Sequence, residues 1–182
     1  MPAILVVVGI IVLLLIVVSI YNGLVQKRMR CQEAWSQIDV QLKRRYDLIP
    51  NLVETVKGYA GHEKSTLEAV INARSRAMGA TGVKDQAEAE NMLTGALRQL
   101  FALQESYPNL KANENFSALQ EELTGTENKI AFSRQHYNDT VSIFNTSCQT
   151  FPSNTIAGMF GFKEREFFQG EDAVKQAPKV SF

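Results

Sequence analysis

Four charged side chains stand where a helical repeat asks for apolar ones. Glu63 and Arg74 fall on the stripe Val53, Val56, Ala60, Glu63, Leu67, Val70, Arg74 and Met78. Glu127 and Arg134 fall on a second stripe, Phe116, Leu119, Leu123, Glu127, Ile130, Arg134, Tyr137, Val141, Phe144 and Cys148. A lone charge is expensive to bury, so each must find a partner or tilt to the rim. Two chemistries answer to that pattern: a buried acid–base site, or a polar layer that fixes the register of packed helices. No histidine accompanies the four, so the expectation is a structural polar seam of Glu63, Arg74, Glu127 and Arg134, with no catalytic residue.

Other site chemistry finds little footing. A di-iron bundle needs Glu-x-x-His pairs, but Tyr59 precedes His62 by three and Ser133 precedes His136 by three. His62-Glu63-Lys64 also fails the zinc pattern H-E-x-x-H. Gly79-Ala80-Thr81-Gly82-Val83-Lys84 is too short for a phosphate-binding G-x-x-x-x-G-K loop and follows a helix rather than a strand. Cys31 and Cys148 sit on apolar stripes, where a thiol acts as a small hydrophobe. Lys43-Arg44-Arg45 reads as the cationic last turn of a helix. Neither a metal nor another cofactor is expected.

Lysine plus arginine number 19 and aspartate plus glutamate number 19, for zero formal net charge. A nucleic-acid binder usually carries a basic excess, so no nucleic-acid partner is expected. No charged side chain stands before Lys27. Ala3 to Ile20 reads AILVVVGIIVLLLIVVSI, which as a helix at about 1.5 Å per residue matches the roughly 30 Å hydrocarbon core. A cleaved signal peptide would want a basic start and a small-x-small cleavage site, and VVSIYNG offers a poor one. An uncleaved anchor over residues 1–22 is therefore expected. Lys27, Arg28 and Arg30 follow the span, so the positive-inside rule puts the N-terminus outside and the remainder in the cytoplasm.

The remainder reads as helix throughout. Leu24, Arg28, Cys31, Trp35, Ile38, Leu42 and Tyr46 continue the first helix at three- and four-residue steps, with Trp35 as a core anchor. Pro50 should end it near Leu48, since a residue before proline is pushed out of the α region. A second helix should open there and end at Gly79–Gly82. A third should start at Asp85 by side-chain capping, bury Ala89, Met92, Ala96, Leu97, Leu100 and Leu103, and end at Tyr107-Pro108. A fourth should run from Asn113 to Ser147 and close before Pro152. The fold class is all-α: an N-terminal transmembrane helix continuing into a long-helix, up-and-down four-helix bundle over residues 23–150.

Long words of the sequence resemble one family. YNGLV follows the span, then EAWSQIDVQLKRRYDLIPNLVETVKGYAGHE, SYPNLKANENF, LQEELTGTENKIAFSRQHYNDTV and a GFKEREFF…APKVSF ending. From Tyr21 to Phe182 this is similar to the LemA family. The resemblance implies an inner-membrane protein with a cytoplasmic helical bundle, one branch being tied to magnetosome membrane formation. It carries no catalytic motif to transfer.

The functional expectation is a non-enzymatic, membrane-anchored interaction or scaffold protein. Its partners would be the lipid bilayer and further copies of itself, with a membrane protein as a further candidate. The alternative is a regulatory partner of a membrane enzyme such as a protease, or an enzyme using the seam charges. Residues 151–182 form a Phe/Gly-rich tail. Besides Phe182 it holds Phe151, Phe160, Phe162, Phe167 and Phe168, five rings expected to be ordered by contacts near the membrane, since exposed phenylalanines in such number are rare on monomers.

Overall fold

The computed structural model describes residues 2–168, and among them no strand occurs. Six helices follow in order: α1 (Pro2–Ala60), α2 (Lys64–Met78), α3 (Val83–Ala102), α4 (Pro108–Lys111), α5 (Glu114–Gln149) and α6 (Ser153–Met159). One turn of 3-10 helix, Leu103–Glu105, links α3 to α4. The fold is all-α, led by one helix long and apolar enough to cross a membrane.

Pro50 does not end the first helix: α1 passes through it and stops at Ala60. Inside a helix, proline withholds the N–H owed to the carbonyl four residues back, here that of Tyr46. That carbonyl instead accepts a hydrogen bond from Arg74 Nε at 2.8 Å. Pro50 itself lies on the exposed face, so its ring displaces no core residue. The turn that was expected at Asp47–Pro50 falls at Gly61–Glu63 instead. A Cβ at Gly61 would stand 3.0 Å from the Lys57 carbonyl oxygen, which favours glycine where the chain leaves the helix. Lys43, Arg44 and Arg45 therefore lie in mid-helix, not in a last turn.

The later boundaries sit closer to expectation. Gly82, with φ +87°, precedes α3 and tolerates a backbone angle that other residues resist. Asp85 is in the first turn of α3 rather than ahead of it. Its Oδ2 accepts the Thr81 N–H at 2.8 Å and Arg76 Nη1 at 3.1 Å. The Asn113 side chain caps α5 by accepting the Phe116 N–H at 2.9 Å. The short helix α6 after Pro152 was not foreseen.

The described chain divides into two compact units. The first holds residues 2–37 and Ser133–Glu166. Its core is Leu24, Cys31, Ala34, Tyr137, Val141, Phe144, Ile156 and Ala157. Trp35 is only half-buried, with its ring edge-on to Tyr137 at 5.4 Å between centroids. The second unit holds Ile38–Phe132 with Phe167 and Phe168. There four helical segments, from α1, α2, α3 and α5, surround Ile38, Leu42, Leu52, Val56, Val70, Leu93, Leu100, Phe116, Leu123 and Ile130. Face-to-face burial of helical stripes is the usual way such segments become stable.

Candidate functional site

The second unit contains a buried polar cluster built from all four of its helical segments. Glu90 of α3 has no exposed surface, and Arg45 of α1 is 2% exposed. Arg45 Nη1 donates to Glu90 Oε2 at 2.9 Å, and Arg45 Nη2 donates to Thr94 Oγ1 at 2.8 Å. The same Nη1 lies 2.9 Å from Glu127 Oε2 of α5. That third approach is an ion pair without hydrogen-bond geometry, and Glu127 is 36% exposed there. The fully buried Glu90 contact is therefore the stronger of the two.

The other Glu90 oxygen accepts the Tyr46 hydroxyl. Gln86 Nε2 sits between three acceptors: Tyr46 Oη at 2.9 Å, Glu90 Oε1 at 3.2 Å and the Ala77 carbonyl at 3.2 Å in the last turn of α2. Burial, reinforced by the bond to Glu90, holds the Tyr46 phenol far above its ordinary pKa. It stays protonated and donates. A carboxylate that receives Arg, Tyr and Gln together has its lone pairs well occupied, which is what permits full burial of a charge.

The four seam residues do not form one site. Arg74 serves the Tyr46 carbonyl, so it touches the cluster through the backbone. Glu127 joins through Arg45. Glu63 is elsewhere in the same unit and accepts the Tyr107 hydroxyl at 2.9 Å; that bond raises the Tyr107 pKa, with burial second. Arg134 is half-buried and belongs to the first unit. Sequence spacing singles out neither Glu90 nor Gln86, and it gives Arg45 and Tyr46 only as part of a cationic turn and as a stripe position. On α3 the buried line runs Gln86, Glu90, Leu93, Leu97 and Leu100, whereas Met92, assigned to the core, is 55% exposed. The two polar residues at the start of that line disguised it.

Two shallow openings reach the cluster. One, of about 380 Å³, is lined by Asp39, Lys43, Tyr46 and Gln86 among others. The other, of about 240 Å³, is lined by Arg45, Thr94, Arg98, Phe101 and Glu127 among others. Neither lining holds a serine, cysteine or histidine. No group of three or more His, Cys, Asp or Glu side chains placed to hold a metal occurs among the described residues.

The first unit carries a different set of groups, mostly aromatic. Ile156 and Ala157 of α6 form a small core with Leu24, onto which Val17, Ile20, Tyr21, Cys148 and Phe162 pack. The Tyr21 ring lies 4.8 Å from that of Phe160 and 5.7 Å from that of Phe162. The Arg28 guanidinium stands over the Phe162 ring at 5.2 Å, a cation–π contact. Asn145 clamps the tail backbone: its Nδ2 donates to the Arg165 carbonyl and its Oδ1 accepts the Arg165 N–H, both at 2.9 Å. The Tyr137 hydroxyl donates to the Glu166 carbonyl at 3.0 Å. Burial pushes the Cys148 thiol up, with Glu164 adding to the shift, so it is no activated thiolate.

Of the tail phenylalanines, Phe162 is half-buried and Phe168 is buried, while Phe151, Phe160 and Phe167 are exposed. Phe182 lies outside the described residues. A groove of about 400 Å³ in this unit is lined by Lys27, Arg30, Glu33, Gln37, His136, Thr140 and Ile143.

A leading helix long and apolar enough to cross a membrane, followed by further long helices with buried charges bonded between them, fits a membrane-associated helical protein. Comparison with known proteins places it further. The LemA family model matches residues 34–182, and the chain belongs to the LemA family. It is similar to magnetosome protein MamQ 2 of Paramagnetospirillum magneticum, 26% identical over 84% of this chain and 66% of that protein. MamQ of Magnetospirillum gryphiswaldense is 24% identical over the same shares. Protein LemA of Metamycoplasma hominis is 26% identical over 83% of this chain and 69% of its own length. The chain thus spans just under two thirds of its MamQ relatives.

Proposed function

We propose that this protein is a non-enzymatic, membrane-anchored scaffold that self-associates at the cytoplasmic face of a bacterial inner membrane. The observation that carries the reading is how the charges of the second unit are used. Arg45, Glu90 and Glu127 pair with one another, Arg74 takes up the carbonyl freed by Pro50, and Glu63 holds Tyr107. Arg45, Arg74 and Glu127 join one helix to another, and Glu63 ties the residue before α2 to the residue before α4, the register-fixing use of polar groups. A surface for association is also available: α2 and α3 border an open groove of about 590 Å³ lined by Ala69, Ala73, Met92, Gly95 and Ala96 among others. Small residues there let another helix approach closely.

Orientation follows from Lys27, Arg28 and Arg30 after the span, which favour the cytoplasmic side. Cross-linking in intact membranes tests the function. A ladder of bands at whole multiples of the chain mass supports the scaffold. A single adduct with one different protein supports a regulatory partner instead.

A further inference from the structure

We propose that α6 and the turn joining it to α5 form a lipid-contacting element, bedded in the same leaflet from which α1 emerges. The inference rests on the reading of α1 as a membrane span and goes beyond the scaffold proposal. Among residues 2–20, only Val17 and Ile20 are partly covered. The residues they pack against, Leu24, Ile156 and Ala157, belong mainly to α6. Val17 lies about 6 Å below Tyr21 along the helix, at 1.5 Å per residue. A helix packed against Val17 and Ile20 is therefore held at the level where hydrocarbon gives way to headgroups.

The outward side of this element suits that level. Phe151 is 85% exposed, Met159 73% and Phe160 54%. No charged residue occurs from Thr140 to Phe162, and charge returns at Lys163. On α1 it returns at Lys27, whose Nζ donates to Ser147 Oγ at 2.6 Å. Arg28 reaches back over Phe162. Cations thus border an apolar, uncharged surface, the arrangement of interfacial elements whose apolar face sinks about 5–10 Å into the headgroup–acyl boundary. Because the surface is continuous with the span through Val17 and Ile20, lipid is the occupant it meets first.

Tryptophan probes in the full-length protein test this. The protein is reconstituted in phosphatidylcholine–phosphatidylglycerol vesicles, with or without bromine on the upper acyl carbons. Native Trp35, fourteen residues beyond Tyr21 on α1, reports the aqueous level. Leu13→Trp reports the span. Phe151→Trp, Met159→Trp and Phe160→Trp are three independent probes, so one poorly folded variant does not decide the result. The emission added by each α6-region probe should be quenched by brominated lipid at least about twofold more than that of Trp35, and shielded from iodide. Iodide quenching of these probes with no lipid quenching would overturn the inference, as would protection from both, which signifies a protein cover such as a second copy. If the Leu13→Trp probe is quenched in either case, the span stands and α6 alone is misplaced. If no probe is quenched by lipid, the anchoring fails together with it.

Discussion

The two units of this molecule are held by different forces. In the second, four helical segments share a core whose centre is ionic: Arg45 and Glu90 are almost wholly out of water and bonded to each other, to Thr94 and to Tyr46. In the first, charged groups meet neutral partners, as Lys27 does on Ser147 and Arg28 over Phe162. Rings at Tyr21, Trp35, Tyr137, Phe144, Phe160 and Phe162 pack tilted or edge to face, and an asparagine holds the tail by its backbone. Ionic bonds are directional and penalise a helix that slips by a turn, whereas ring packing tolerates small shifts. The second unit is fixed in register by its ionic centre, and the unit that contains the apolar start of α1 is held mainly by its rings.

The comparison breaks most readily at Arg45. Arg45→Met leaves Glu90 charged, buried and short of its main partner, at an expected cost of about 3–5 kcal/mol. Urea unfolding should show a large fall in midpoint. Adding Glu90→Gln removes the stranded charge and keeps an acceptor for Tyr46, so the double variant should recover much of the loss. If the two costs simply add, the pair is not a coupled ionic centre.

Arg74 gives the next effect. Arg74→Met strands the Tyr46 carbonyl, at about 1–3 kcal/mol. In a Pro50→Ala background residue 50 regains its N–H and can serve that carbonyl, so the same substitution should cost much less. An equal cost in both backgrounds would mean that Arg74 acts through something other than the proline gap.

In the first unit, Asn145→Ala should cost about 1 kcal/mol, because the released Arg165 groups turn to water. The readout is local: trypsin should cut at Lys163 and Arg165 sooner than in the parent chain. Unchanged cleavage would show that the rings alone hold the tail. The smallest effect is a pH slope. The Tyr46 phenol is held above its ordinary value by burial and Glu90. Below about pH 10 both folded and unfolded chains keep the proton, so its contribution is fully present; above that the unfolded chain loses it first and stability falls. The slope is at most about 1.4 kcal/mol per pH unit for this group and should be shallower in Tyr46→Phe.

Much of the helical content was legible because apolar spacing and caps are local signals. The failure at Pro50 is instructive. The stripes on either side of it, ending Leu42 and Tyr46 and resuming Val53, Val56 and Ala60, were already in phase, and in the structure Ile49 and Leu52 complete the line. Proline's local penalty argues for a break there, but the compensating donor, Arg74, comes from a different helix. The ionic centre was half visible for the same reason. Glu127 and Arg74 stood out by breaking an apolar stripe, but Arg45 and Glu90 looked like ordinary surface charges until tertiary packing brought α1 and α3 together. A sequence marks charges on a stripe; it does not mark which of them meet.

In the proposed scaffold, the buried charges hold the fold and assembly at the membrane is the protein's work. Light scattering on the detergent-solubilised full-length protein, run for the parent and for the Arg45→Met, Glu90→Gln double variant, tests it most directly. The account predicts, for both, one defined particle heavier than a single 20.3 kDa chain after subtraction of detergent. A parent protein that stays a single chain at every concentration, or a folded double variant that loses the assembly, would contradict it.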